Sequence, residues 1–110
     1  MKLQKETQER IQQLQLLEQN LQAFMLQKQS YQSQLVEIES ALNGLKDTKE
    51  AYKIVGNIMV ASKKEDLQKN LKDKQEEAEL RIKTLEKQEE KIRLRAKDLQ
   101  KEILGRIKKD

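Results

Sequence analysis

The side chains that usually carry catalysis or bind metal ions are scarce in this sequence. Its 110 residues include no His and no Cys, and its three Gly residues form no phosphate-binding loop. Ser30, Ser33 and Ser40 have no base to activate them, so we interpret them as small polar residues on a helix surface. The acidic residues are spaced for solvent rather than for a metal ion. We therefore expect no catalytic site, no metal and no cofactor, and hence a protein that is not an enzyme.

Charge is the second feature that could bind a partner. Residues 63–110 contain 16 Lys and Arg against 12 Asp and Glu, whereas residues 1–50 contain 6 against 7. A basic surface can attract nucleic acid or anionic lipid, but here acids are interleaved and no aromatic side chain is placed to stack on bases. We therefore expect a solvated helix face, with neither nucleic acid nor membrane as a partner. The basic residues concerned are Arg93, Arg95, Lys97, Lys101, Arg106, Lys108 and Lys109.

Composition limits the kind of fold that could position any site. The chain is 38% charged, 35% hydrophobic and only 3% aromatic, which leaves too few large apolar residues for a compact core. No apolar run approaches the roughly 20 residues of a membrane span, and no signal-peptide core follows the first residues. We expect a soluble protein of the cytoplasm.

The densest group of apolar residues lies near the middle of the chain, at positions 52–60. Gly56 and Asn57 separate two short β-branched runs, which is typical of a two-residue hairpin turn with positive φ. This turn would pair Val55 with Ile58, and alternation along the strands then makes both faces apolar. An isolated two-stranded hairpin is marginal in water, and this chain has nothing to bury both faces against. We therefore expect an oligomer interface formed by Tyr52, Ile54, Val55, Gly56, Ile58, Met59 and Val60.

A long helix is predicted before the hairpin. Apolar residues follow a 3,4 spacing from position 14 to position 45, and Lys28 is the only polar member of that run. Nearer the start of the chain the pattern loosens, because Thr7 and Arg10 interrupt it. Gly44 marks the approximate end of the helix.

A second long helix is predicted after the hairpin. Ser62 and Glu65 match a capping box, in which each side chain bonds to the backbone of the other. The apolar seam then runs from position 71 to position 103, with Gln75 and Glu89 as polar members. Gly105 is expected to mark where this helix frays.

The two predicted helices match in length, at about 45 residues or roughly 65 Å each. A short connection makes them antiparallel neighbours, and Lys28 and Glu89 then lie at similar heights, where they would fix the register. The predicted fold is mainly α: an antiparallel two-helix coiled coil (1–46 and 63–110) with a central oligomerising β-hairpin (47–62). The free ends of the helices would bring together more apolar residues than a two-helix seam covers, namely Leu3, Ile11, Ile103, Leu104 and Ile107.

Two motifs give this pattern a family resemblance. The hairpin contains Tyr52-Lys53-x-Val55-Gly56-Asn57-x-x-Val60, and the second helix contains Arg81-Ile82-x-x-Leu85-Glu86-Lys87-Gln88-Glu89-x-Lys91-Ile92. Together with the order helix, hairpin, helix, they resemble prefoldin. The likeness is to its β-type subunit, which has one hairpin where the α type has two.

The resemblance implies an assembly and an activity. Two α-type and four β-type subunits would form a hexamer, with the hairpins building a platform of paired β-barrels. Such assemblies hold non-native proteins at the coiled-coil tips without ATP and pass them to a group II chaperonin. Leu3, Ile11, Ile103, Leu104 and Ile107 would then bind clients, and the alternative is that they simply continue the coiled-coil core.

Two other functions remain open at this point. A structural adaptor or tether could oligomerise through the same hairpin without holding clients. A nucleic-acid-binding helical hairpin would use the basic residues of the second helix. Suppression of client aggregation separates the holding function from the tether, and a salt-dependent shift of DNA would favour the third hypothesis.

Overall fold

A computed structural model describes residues 4–109 of the chain. Two helices, α1 (Lys5–Lys46) and α2 (Lys64–Lys109), flank the strands β1 (Ala51–Val55) and β2 (Ile58–Ser62), which form a two-stranded antiparallel sheet. This order confirms the predicted fold class, with two long helices on either side of a hairpin. Contacts divide the chain into a hairpin unit (Gln29–Lys83) and a terminal unit (Met1–Lys28 with Thr84–Asp110).

Within the hairpin unit, α1 and α2 lie side by side along the predicted seam. Ile38 of α1 and Ala78 of α2 are buried, and the neighbouring members of the 3,4 pattern, such as Leu35 and Leu71, are half-buried. The side chains between them are exposed. The periodicity therefore identified the buried face, because positions three and four residues apart share one side of a helix.

Polar contacts end α1 close to the residue expected. The helix stops at Lys46, and the Thr48 hydroxyl donates a 2.7 Å hydrogen bond to the carbonyl oxygen of Gly44. The Lys64 ammonium donates to the carbonyl oxygen of Lys46 at 3.0 Å. Both donors satisfy carbonyls that have no partner in the helix, and the ammonium also complements the negative end of the helix dipole.

The beginning of α2 differs from the predicted capping box. Ser62 is the last residue of β2, and the helix begins at Lys64. The carbonyl oxygen of Lys63 accepts the first helical hydrogen bond, from the Leu67 amide at 3.1 Å, so Lys63 occupies the N-cap position. Ser62 instead pairs with Ala51 as the last residue of β2, one position before the N-cap.

Within the terminal unit, the seam is longer than the sequence suggested. Thr7 is buried and Arg10 is half-buried, so both occupy seam positions that they were expected to interrupt. They pack alongside the stretch of α2 that holds Leu99 and Ile103, both buried. Helix α2 continues through Gly105 to Lys109, because a single Gly costs a long helix only about 1 kcal/mol.

Candidate functional site: two exposed apolar surfaces

The hairpin has the turn and the register that its sequence predicts. Val55 pairs with Ile58, Ile54 with Met59, and the pairing continues to the ends of both strands. Gly56 has a φ of 62°, and no non-Gly residue of the described chain has positive φ. A turn in which only the first central residue has positive φ corresponds to type II′, which suits the twist of a hairpin and favours Gly there.

Both faces of the hairpin are open to solvent. Their exposed fractions run from 48% for Val60 to 70% for Ile54. Strand alternation places Val55 and Val60 on one face and Ile54 on the other. Two strands alone cannot bury both faces, so the exposed apolar area is available to another chain. This hairpin surface consists of Tyr52, Ile54, Val55, Ile58, Met59 and Val60.

One face of the hairpin overlooks a groove of the hairpin unit. Ile54 and Met59 line it from the strands, and Leu45 and Leu71 line it from the helices, around a volume of about 820 Å³. The Tyr52 hydroxyl donates a 2.9 Å hydrogen bond to the Glu50 carboxylate, which holds the ring at the margin. The groove provides room for apolar side chains from a second chain.

The terminal unit carries the second apolar surface. Leu104 and Ile107 are 56% and 40% exposed, and they lie three residues apart on neighbouring turns of α2. Ile11 of α1 is half-buried, whereas Ile103 is 8% exposed and belongs to the seam. The terminal patch is therefore defined as Ile11, Leu104 and Ile107. Leu3, which was predicted to join it, lies outside the described residues.

Ion pairs hold the two helices together beside this patch. Arg10 Nε lies 3.0 Å from Glu102 Oε1. Arg106 joins the same carboxylate at 3.4 Å and reaches Glu6 Oε2 across the seam at 2.8 Å. Hydrogen bonding from Arg10, supported by the Arg10 and Arg106 charges, lowers the pKa of Glu102 below its ordinary value. We call Glu6, Arg10, Glu102 and Arg106 the terminal ion network.

The network explains why the apolar side chains stay exposed. Seam positions at this end are occupied by Thr7 and Arg10 on α1 and by Ile103 and Arg106 on α2, whose contacts close the helix pair. Leu104 and Ile107 lie outside these seam contacts. Sequence reasoning missed the network, although the signal was present, because Arg10 continues the 3,4 spacing that leads back from position 14.

A polar layer interrupts the seam of the terminal unit where Lys28 faces Glu89. The Lys28 ammonium donates to Glu89 Oε2 at 3.2 Å, and Arg93 Nη2 lies 3.6 Å from the same oxygen. Glu89 is 3% exposed, and its second oxygen has no hydrogen-bond partner. The predicted alignment of Lys28 with Glu89 is confirmed, and it couples the two helices at one register.

The remaining chemistry of the described chain is limited. Residues 4–109 contain no group of three or more His, Cys, Asp or Glu side chains that could hold a metal ion. None of the described helices is long and apolar enough to cross a membrane.

Two long helices that present an exposed apolar hairpin are typical of coiled-coil subunits that assemble into larger complexes. Known proteins of this kind are similar to the chain in sequence and in structure. The family model described as "Prefoldin subunit" matches residues 8–110. The prefoldin β subunit of Archaeoglobus fulgidus is 47% identical over 79 residues, which cover 69% of this chain and 68% of that protein. The corresponding subunit of Sulfurisphaera tokodaii is 36% identical over 101 residues, covering 89% and 81%.

A solved structure gives the same result. The crystal structure of the prefoldin β subunit from Thermococcus strain KS-1 matches with a TM-score of 0.86 and 32% identity, covering 94% of each chain. The chain therefore belongs to the prefoldin subunit family, and its likeness is to the β type. These matches confirm the resemblance inferred from the hairpin and α2 motifs. Prefoldin family proteins are chaperones.

Proposed function

We propose that this chain is a subunit of an ATP-independent holding chaperone of the cytoplasm, which binds non-native proteins through its terminal patch and delivers them to a group II chaperonin. The observation that carries this proposal is that Leu104 and Ile107 stay exposed while ion pairs close the helix pair beside them. The other described members of the predicted client-binding set are Ile11, which is half-buried on α1, and Ile103, which is buried in the seam.

The size of the patch implies weak binding by one chain. Burying the remaining exposed parts of Leu104 and Ile107 contributes roughly 0.6–1.7 kcal/mol each. Their sum, about 1.5–3 kcal/mol, corresponds to a dissociation constant of roughly 10–100 mM, before any ordering cost is subtracted. Holding a client therefore requires several subunits, whose contacts combine through high effective concentration.

Assembly through the hairpin surface supplies those subunits. Apolar side chains on both faces of a two-stranded sheet favour burial between chains, and the groove beside Ile54 and Met59 offers space for a partner. The partners proposed are an α-type subunit and further β-type subunits, in a hexamer of two α-type and four β-type chains. Gly56 contributes the turn that presents the strands.

The test is suppression of client aggregation by a tip-substituted complex. Leu104→Ser with Ile107→Ser should abolish protection of a chemically denatured client while the complex, assembled with its α-type partner, keeps its sedimentation coefficient. The matched control is Val36→Ser with Leu80→Ser, which also replaces two exposed apolar side chains on helices. Addition of ATP should change neither result.

The competing hypothesis is a structural tether that uses the hairpin without holding clients. It predicts that neither the parent complex nor its variants protect a client at any concentration. If the Leu104 and Ile107 variant protects as well as the parent does, the terminal patch is not the binding surface. Equal loss of protection in the control variant would show that general surface hydrophobicity is responsible.

A further inference from the structure

One line of side chains on α2 combines apolar and basic groups. From Leu94 to Lys108, a 3,4 spacing continues along the outside of the helix, away from the seam, and Ile107 widens this line toward the seam. Its members are all exposed, and the line is roughly 21 Å long at 1.5 Å per residue. We call it the basic strip, and it consists of Leu94, Lys97, Lys101, Leu104, Ile107 and Lys108.

The charges of the strip are not neutralised from within the chain. Among residues 4–109, no carboxylate lies within 4.0 Å of the ammonium groups of Lys97, Lys101 or Lys108. The nearby acids are engaged elsewhere, since Glu102 contacts Arg10 and Arg106. Glu90 lies one turn before Leu94 on the same line and Asp98 flanks it, but the three lysines outnumber these two acids, so the strip keeps a positive balance.

We propose that the basic strip binds acidic amphipathic segments of non-native proteins, so that the complex prefers clients in which Asp or Glu alternates with apolar residues. The proposal rests on the proposed holding function, because Leu104 and Ile107 belong to both surfaces. The apolar members contact the apolar side of the segment, and the three lysines face its carboxylates. Lysine stems add apolar area while their ammonium groups remain in water.

Other anionic partners fit the strip less well. Single-stranded nucleic acid is bound through aromatic or arginine stacking, and the strip contains neither. A helix that lies on a membrane separates a continuous apolar face from a charged face, whereas here lysines and apolar residues share one line. A segment with the same alternation of charge and apolar groups is the complement of that line.

Three peptides test the proposal with the full-length chain in complex with its α-type partner. They are amphipathic segments of about 18 residues with the same Leu positions, whose polar positions are all Glu, all Gln or all Lys, and which are labelled for fluorescence anisotropy. The Glu peptide should bind about tenfold more tightly than the Gln peptide, because an exposed ion pair contributes modestly and three can act together. The Lys peptide should bind more weakly than both.

Charge-neutral variants locate the effect. Lys97→Gln, Lys101→Gln and Lys108→Gln together should remove the advantage of the Glu peptide and leave binding of the Gln peptide unchanged. The matched control is Lys69→Gln, Lys72→Gln and Lys91→Gln, which removes the same charge from exposed positions of α2 outside the strip. The control should keep the Glu preference. Raising ionic strength from about 0.01 M to about 0.15 M should shrink the preference as the Debye length falls from about 30 Å to about 8 Å.

Each contrary outcome has a distinct meaning. If the Gln peptide binds and the Glu peptide binds no more tightly, the strip proposal is wrong while the holding function stands. If no peptide binds, both are wrong. If both triple variants lose the Glu preference equally, the preference comes from net charge and the strip proposal is wrong. Tighter strip-dependent binding of single-stranded DNA, or of vesicles with equal parts phosphatidylcholine and phosphatidylglycerol, would also overturn the proposal.

Discussion

Replacing Lys28 with Leu tests the polar layer inside the terminal unit. Lys28 Nζ lies 3.2 Å from Glu89 Oε2, and the Glu89 side chain is almost wholly buried. The substitution leaves this carboxylate in the seam with Arg93 as its remaining cation, at 3.6 Å. Removing one partner of a buried ion pair typically costs about 3–5 kcal/mol. Because Lys28 is partly exposed and Arg93 remains, we expect a loss of about 2–3 kcal/mol.

The double variant separates the interaction between Lys28 and Glu89 from the contribution of each side chain alone. Glu89→Leu alone should cost less than Lys28→Leu, since the partly exposed lysine can extend its ammonium into water. Lys28→Leu with Glu89→Leu replaces the pair by apolar groups, and such replacements are often neutral or stabilising by about 1–4 kcal/mol. The double variant should therefore be at least as stable as the parent, with a coupling free energy of at least about 2 kcal/mol between the sites.

Urea unfolding followed by circular dichroism measures these free energies. The protomer concentration is kept fixed, because assembly contributes to the apparent stability. Lys87→Leu, at an exposed position of α2, is the control and should change the free energy of unfolding by less than about 0.5 kcal/mol. If Lys28→Leu unfolds at the same urea concentration as the parent, the buried carboxylate does not depend on Lys28 and the reasoning is refuted.

Three further variants test packing, the ion network and the turn. Leu99→Ala should lower the free energy of unfolding by about 2–5 kcal/mol, because Leu99 is 1% exposed. Leu94→Ala, on the outer face, should lower it by less than about 0.5 kcal/mol. Equal losses in urea unfolding would mean that the seam is misplaced. The pKa of folded Glu102 lies below the ordinary 4.5, so its stabilising effect is present above that value and is lost as pH falls through the folded pKa. Glu102→Gln should therefore lower the melting temperature at neutral pH but not in strong acid. A loss of melting temperature that does not depend on pH would contradict the network. Gly56→Ala should destabilise the hairpin by about 1–2 kcal/mol and weaken assembly in sedimentation experiments, because a φ of 62° is strained for Ala. No neighbour lies within 4 Å of an added Cβ, so this loss comes from the backbone and not from a clash. Gly56→Asn should lose less, and unchanged assembly in both variants would refute the turn assignment.

The spacing of the apolar residues predicted most of the fold. The 3,4 spacing on each helix identified the seam, and the Gly56-Asn57 turn gave a strand register that the structure reproduces pair by pair. The facing of Lys28 and Glu89 followed from the same alignment. These features are local patterns whose geometry is fixed by the helix and strand repeats, so one sequence is enough to predict them.

The terminal unit was predicted less well, for a physical reason. Thr7 and Arg10 were expected to interrupt the seam because they are polar, yet partners on α2 make room for them there. Whether Arg10 is tolerated depends on Glu102, which is 92 residues away in sequence. The spacing did place Ile103 on the seam and Leu104 outside it, in agreement with their burial, because the apolar repeat extends that far. A seam with charged members is defined by pairs rather than by hydrophobicity.

Site-specific photo-crosslinking tests the proposed client surface most directly. A photoreactive phenylalanine analogue is placed at position 104 of the assembled complex, and in separate preparations at the exposed control positions 36 and 80. After incubation with a denatured client and irradiation, we expect crosslinks to the client from position 104 and few from the two controls. Equal crosslinking from all three positions, with the complex intact, would contradict the proposal that clients are held at the terminal patch.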